Sequence, residues 1–218
     1  MIKKYIYYLF GVIFMSLGVT LTLISDLGAG GWDALPENLY KLTGISIGTW
    51  VITIALILLI VAAMLKREFI NYKAFITSIV MGKLIDLFYF YLEPFRETNS
   101  FTDRILFLVF GLIVIGVGCA ITFVTGLPKN HTETFVFSIV DTTKFSYQKA
   151  KTIVDISALT IAVIIGFKLK DFSNLGLGTI FNSFLMGTII HYCMPLTQKV
   201  MDVIYGVEKR EVKKEADL

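Results

Sequence analysis

The sequence predicts an all-α polytopic membrane protein: six transmembrane helices arranged as two inverted three-helix repeats, with short interrupting helices after the first and fourth spans. Three observations predict it. The 218 residues are 56% hydrophobic, 17% charged and have a mean hydropathy of +0.74, which is too apolar for an ordinary soluble domain. The apolar residues fall into runs of roughly 18–22, about the length a helix needs to cross ~30 Å of hydrocarbon. The third is an internal match at an offset of 100 residues, which sets Phe10-Gly11, Gly18, Thr22, Ser25, Leu27 and Ser46 opposite Phe110-Gly111, Gly118, Thr122, Thr125, Leu127 and Ser146.

In chain order the spans read as residues 5–25, 46–65, 73–92, 104–125, 149–167 and 175–195. The start Met1-Ile2-Lys3-Lys4 imitates a signal peptide, but the apolar run behind it is longer than a typical h-region and more spans follow, so it reads as an uncleaved first helix. Lys and Arg flank the spans unevenly, fourteen on the side of the N-terminus and five on the other. That bias predicts a multi-pass membrane protein with both termini cytoplasmic. The same sorting by side accounts for the pI near 8.7 without a nucleic-acid partner. Beyond the sixth span the mixed-charge stretch from Val207 to Leu218 reads as a frayed or disordered tail.

The repeat divides the chain into residues 1–98, residues 99–200 and a cytoplasmic tail, 201–218. Within the third and sixth spans, Ser78, Gly82 and Asp86 match Ser183, Gly187 and His191 at an offset of 105, a shift that implies a longer link inside the second half. An odd number of spans per half makes the second half enter the membrane from the opposite side, the arrangement of many secondary transporters. Gly11, Gly18, Thr22 and Ser25 lie at helical spacing on one face, as do Gly111, Gly118, Thr122 and Thr125. Such small-residue faces predict a close seam between the first and fourth spans.

The stretch Asp26-Leu27-Gly28-Ala29-Gly30-Gly31-Trp32-Asp33 stops the first apolar run abruptly. A short helix over Ala34 to Thr43 is expected after it, with Asp33 as N-cap, Pro36 in the first turn and Gly44 at C′. The second half carries the matching break Gly126-Leu127-Pro128-Lys129-Asn130-His131-Thr132-Glu133, followed by a short helix over Thr134 to Val140. Interrupted segments at equivalent places in two halves mark a candidate site near the bilayer midplane. The candidate substrate-binding residues are therefore Asp26, Gly28, Gly30, Trp32, Asp33 and Glu37 from the first break, with Pro128, Asn130, His131 and Glu133 from the second. Uncovered glycine amides and a helix N-terminus favour an anion. The carboxylates Asp26, Asp33 and Glu37 favour a cation or an amine. Trp32 fits either a headgroup-level anchor or a stacking surface.

Five polar positions lie inside the spans: Lys83, Asp86, Asp155, Asn182 and His191. Lys83 and Asp86 are spaced to meet on one helix face, and Asp155 lies one turn from Lys151. Asp86 and His191 are equivalent under the repeat and are candidates to titrate during transport.

The eight residues from Asp26 to Asp33, with Gly44-Ile45-Ser46-Ile47-Gly48-Thr49-Trp50, resemble the YczE/YyaS/YitT family of bacterial multispanning membrane proteins. Gly31 stands where the family pattern has proline, which leaves the turn before Trp32 less fixed in φ. The motifs cover about a tenth of the chain. The resemblance implies an integral plasma-membrane protein and supplies neither substrate nor catalytic residues.

No nucleotide-binding loop, His-Glu-x-x-His motif or nucleophile elbow on a strand is present; Ser46 and Ser146 read as caps of the second and fifth spans. Cys119 and Cys193 sit in apolar runs, and neither they nor the two histidines have ligand spacing, so no metal or other cofactor is expected. The expected function is a small transporter or permease for a small polar solute, not an enzyme. The alternatives are a solute-binding subunit or accessory scaffold working through a membrane partner, and, ranked last, an intramembrane enzyme. The small chain also suits a homodimer.

Overall fold

The computed structural model describes residues 2–97 and 100–205. The tail beyond 205 and the junction at Thr98-Asn99, where the two halves were expected to meet, lie outside the described residues. Eight α-helices run in the order α1 (Ile2–Ile24), α2 (Gly31–Thr43), α3 (Ile47–Lys66), α4 (Tyr72–Leu92), α5 (Phe101–Thr125), α6 (His131–Thr142), α7 (Tyr147–Leu169) and α8 (Leu177–Tyr205); there is no strand among the described residues. Of these, α1, α3, α4, α5 and α7 are long and apolar enough to cross a membrane. The sixth expected span, 175–195, falls on α8, which continues through Pro195 to Tyr205.

The helix ends follow local chemistry. Ser46 Oγ accepts the Thr49 N–H and Ser146 Oγ accepts the Lys149 N–H, as expected of the two serines. Asn130 caps α6 by accepting the Glu133 N–H at 2.9 Å. Gly44 closes α2 with φ +75°, a left-handed conformation that suits glycine. One expectation is corrected. Asp33 is not an N-cap: α2 begins at Gly31 behind an extended Gly30, which places Asp33 in the first turn. The adjoining glycines let the helix start earlier than a side-chain cap would. Likewise α6 starts at His131, ahead of the expected Thr134.

Helices α1 and α5 cross closely and antiparallel along the predicted glycine seam. A Cβ on Gly18 would lie 2.7 Å from the Gly111 carbonyl oxygen, and one on Gly118 would lie 2.7 Å from that of Gly11. Helices α3 and α4 meet as tightly, since a Cβ on Gly48 would fall 1.9 Å from the Gly82 carbonyl oxygen. Lipid tails are as apolar as leucine, so contact at this range and polar bonds, rather than water exclusion, hold the helices together.

Val12, Met15, Val19 and Leu23 of α1 form the core with Met81 and Ile85 of α4 and Ile115 of α5. The outward faces are apolar too: Ile57, Phe90, Phe110 and Ile164 are all more than half exposed. A soluble protein does not display such surface on every side, and a lipid-embedded one must. The short helices are exchanged between halves, α2 packing on α7 and α6 on α3.

Candidate functional site

The N-termini of α2 and α6 meet beside the first half of α7. A Cβ on Gly31 would lie 3.3 Å from the Asp155 carbonyl oxygen, which fixes where α2 begins. From α6, Glu133 reaches the same stretch: its Oε1 is 3.2 Å from Lys151 Nζ, and its Oε2 accepts a hydrogen bond from Tyr147 OH at 2.7 Å. Lys151 also pairs with Asp155 at 3.3 Å, as the one-turn spacing predicts. Asp33 lies within the field of both Lys151 and Asp155. Glu133 and Asp155 thus share one ammonium, while Asp33 and Glu133 each sit in the first turn of a helix, where the positive end of the helix dipole favours a carboxylate.

Aromatic and polar side chains surround this group. Trp32, partly buried, packs against Val136, Ala150 and Val154. Its buried indole N–H lies near Asp155 but outside hydrogen-bond geometry. His131 is buried, with Nδ1 2.9 Å from Ser78 Oγ on α4. Gly30 leaves space for α8: a Cβ there would lie 2.5 Å from Asn182 Nδ2. Asp33, Glu133, Asp155, Trp32, His131 and Asn182 are therefore brought together from α2, α6, α7 and α8. No group of three or more His, Cys, Asp or Glu suited to a metal occurs among the described residues.

Other candidates are placed elsewhere. Asp26 and Glu37 join a second ionic group at the end of α1. Arg96 Nε donates to both Asp26 carboxylate oxygens, at 2.9 and 3.0 Å, and its Nη2 contacts Asp26 and lies 2.8 Å from Glu37 Oε1. Arg96 Nη1 donates to Tyr89 OH at 2.9 Å. Burial works against the Arg96 charge, but the bonded Asp26 and nearby Glu37 outweigh it and raise the guanidinium's affinity for its proton. Glu37 also sits 3.5 Å from Lys41 Nζ, and its side chain has no exposed surface.

Gly28 is structural as well. At φ +111° it passes so close to α8 that a Cβ would fall 2.6 Å from the Gly176 nitrogen. Pro128 presents its carbonyl to Tyr8 OH, 2.6 Å away, and Asn130 is used as the cap.

The intramembrane set is corrected at the Lys83–Asp86 pair. Asp86 does not form an ion pair with Lys83; it accepts from Ser46 Oγ at 2.8 Å and from the Gly48 N–H at 2.6 Å, so the open end of α3 takes its charge. Lys83 is exposed. His191 is exposed on α8 beside the Tyr192 ring. The side chain of Ser183 lies outside the described residues.

Residues that the motifs did not single out complete both groups: Tyr147 in the first, Arg96 and Tyr89 in the second; Ser78, already marked by the repeat in the third span, also joins the first. Arg96 carried only a charge-bias signal, because nothing in its spacing links it to Asp26.

A family model matches residues 2–195. The chain belongs to DUF6198, a family of unknown function. Among its relatives is "Uncharacterized protein YyaS" of Bacillus subtilis (strain 168), 33% identical over 196 residues that cover 90% of this chain and 94% of the relative. "Uncharacterized membrane protein YczE" of the same organism is 25% identical over 96% of this chain and 93% of its own length. No solved structure matches. The family assignment agrees with the resemblance carried by the Asp26–Asp33 and Gly44–Trp50 motifs.

Proposed function

We propose that the chain is a small transporter for a small polar solute, bound where the N-termini of α2 and α6 meet. The observation that carries this reading is the pairing of Glu133 and Asp155 with one cation, Lys151, beside two interrupted helix starts, with the buried Asp33 of α2 near enough to feel both Lys151 and Asp155. Charges in the interior of a membrane protein are costly and mark solute or ion pathways. An excess of carboxylate over ammonium favours a cationic or amine-bearing solute.

Reciprocal contacts support an inverted-repeat reading. Gly11 meets Gly118 as Gly111 meets Gly18, the pattern of a surface packed on its own copy about a two-fold axis. The pairing of α2 with α7 repeats as α6 with α3, and Asp33 and Glu133 are equivalent at the offset of 100. The Lys and Arg bias then places the Pro128 end in the cytoplasm and the Asp26 end outside, with both termini cytoplasmic.

Counterflow in proteoliposomes with a panel of amines, amino acids and inorganic cations tests the reading. At least one solute should accumulate with the wild-type protein and not with Glu133→Gln. If well-folded wild-type protein moves none of them, the transporter reading is wrong.

A further inference from the structure

At the Pro128 end a crevice of about 620 Å³ opens between the last turn of α3, α6 and the turn at residues 126–129. Ala62, Lys66, Pro128, Lys129, Thr134 and Asp141 are among the residues on its wall. The offset of 100 carries these onto Ala162, Gly166, Gly28, Ala29, Ala34 and Lys41, at the Asp26 end. There the space is filled.

Ala29, Ala34 and Ala162 have 1%, 0% and 0% of their surface exposed. The filling comes from the link between α7 and α8, residues 170–176, which is longer than its equivalent between α3 and α4, residues 67–71. Asn174 Nδ2 donates to the Ala34 carbonyl at 3.2 Å and to Asn38 Oδ1 at 2.7 Å, while the Asn174 carbonyl accepts the Ala29 N–H at 3.0 Å. Asn38 Nδ2 donates to the Ala162 carbonyl at 2.8 Å. On the rim, Lys41 Nζ donates to Asp171 Oδ2 at 2.8 Å and to Ser173 Oγ at 3.0 Å.

Two equivalent places thus differ in one respect. One is an open crevice, and the other is shut by a loop held through side-chain hydrogen bonds and one backbone bond, from the Ala29 N–H to the Asn174 carbonyl. We infer that the 170–176 link is a door, latched in this conformation by Asn38, Lys41, Asp171 and Asn174, and that the crevice at Pro128 is the open half of the same cycle. This rests on the transporter reading, because a protein that moves solute past a fixed site must expose it to one side at a time. Every bond of the latch is reversible. Removing those bonds lowers the cost of the door-open state without touching Glu133 or Asp155, and so shifts the population toward it.

Thiol accessibility tests this without any knowledge of the solute. In full-length protein lacking Cys119 and Cys193, Thr134→Cys reports the crevice and Ala34→Cys reports the space behind the door. With the latch intact, a membrane-impermeant maleimide should modify Thr134→Cys from the Pro128 side and leave Ala34→Cys unmodified from the other. Adding Lys41→Met and Asn174→Ala should speed modification of Ala34→Cys by about tenfold or more and slow that of Thr134→Cys.

Continued silence at Ala34→Cys in protein of normal elution would make the link a fixed plug and overturn the inference. So would fast modification at both positions, which describes a pore. If Ala34→Cys fails to fold, Val163→Cys against Ala63→Cys on the crevice wall makes the same comparison. Counterflow that succeeds while accessibility fails to exchange leaves a transporter without this door. Exchange without counterflow for any solute refutes the transporter reading instead.

Discussion

Arg96 Nη2 lies 2.8 Å from Oε1 of Glu37, a carboxylate with no exposed surface, while the same guanidinium grips Asp26 with two donors. One cation from beyond α4 thereby pairs with two carboxylates from the first break, tying the end of α1 to α2. Arg96→Met leaves Glu37 buried with only Lys41 at 3.5 Å, and truncating one member of a buried ionic group costs about 3–5 kcal/mol. The thermal midpoint of the purified protein should fall sharply. Combining Arg96→Met with Glu37→Gln should recover part of that loss, because the stranded charge is gone.

The α1–α5 crossing depends on the absence of Cβ atoms. In Gly18→Ala the new methyl would stand 2.6 Å from Ile115 Cγ1 and 2.7 Å from a backbone oxygen that cannot move aside. Overpacking of this kind costs about 1–3 kcal/mol. Gly187→Ala on α8 is the control, since nothing lies within 4 Å of a Cβ there. A lower melting temperature for the first and an unchanged one for the second is the expected result.

Asp86 answers a different question from the one its position in a span suggests. Its carboxylate closes the N-terminus of α3 through Ser46 and Gly48. Asp86→Asn keeps the size but weakens acceptance from the Gly48 N–H, so it should lower stability by up to about 1.5–3 kcal/mol, the range for hydrogen bonds to charged groups. Counterflow per folded molecule should be unchanged. A specific loss of transport with normal stability would return Asp86 to the solute path.

The latch should not respond to pH in the physiological range. Burial pushes the Asp171 carboxyl up, but the bonds from Lys41 and Ser173 more than offset it and hold the group at about 2, below its usual 3.8. A carboxylate with a depressed value stabilises the latched form above its free value and loses that contribution only as pH falls toward about 2. Maleimide access to Ala34→Cys should therefore stay constant between about pH 5 and about pH 8. A rise in access on mild acidification would mean that another group holds the door.

The long spans, the caps at Ser46 and Ser146, the C′ glycine at residue 44 and the glycine seam were legible because each depends on local spacing. Asp33 as a cap was misread, since consecutive glycines let α2 start at Gly31 without any side chain. The pairing of Asp86 was misread for a related reason: the nearest charge in sequence, Lys83, is not its nearest donor in space. Arg96, Asn174 and Tyr147 gave no periodic signal, and their partners are set by tertiary packing. The break residues were all named from the sequence, but how they divide was not. Asp26 and Glu37 go with Arg96, whereas Asp33 and Glu133 go with Lys151, and that division needs the exchange of α2 and α6 between halves.

Solute-dependent stabilisation of the purified protein tests the central claim most directly, because a ligand that binds the folded state raises its thermal midpoint, the stabilisation growing with the logarithm of solute concentration once that exceeds Kd. For wild type, an amine-bearing or cationic solute should raise the midpoint progressively with its concentration. Asp33→Asn and Glu133→Gln should each abolish the rise, while Lys83→Gln should leave it intact. A rise that survives both carboxylate substitutions, or none with any such solute, would contradict a site between the N-termini of α2 and α6.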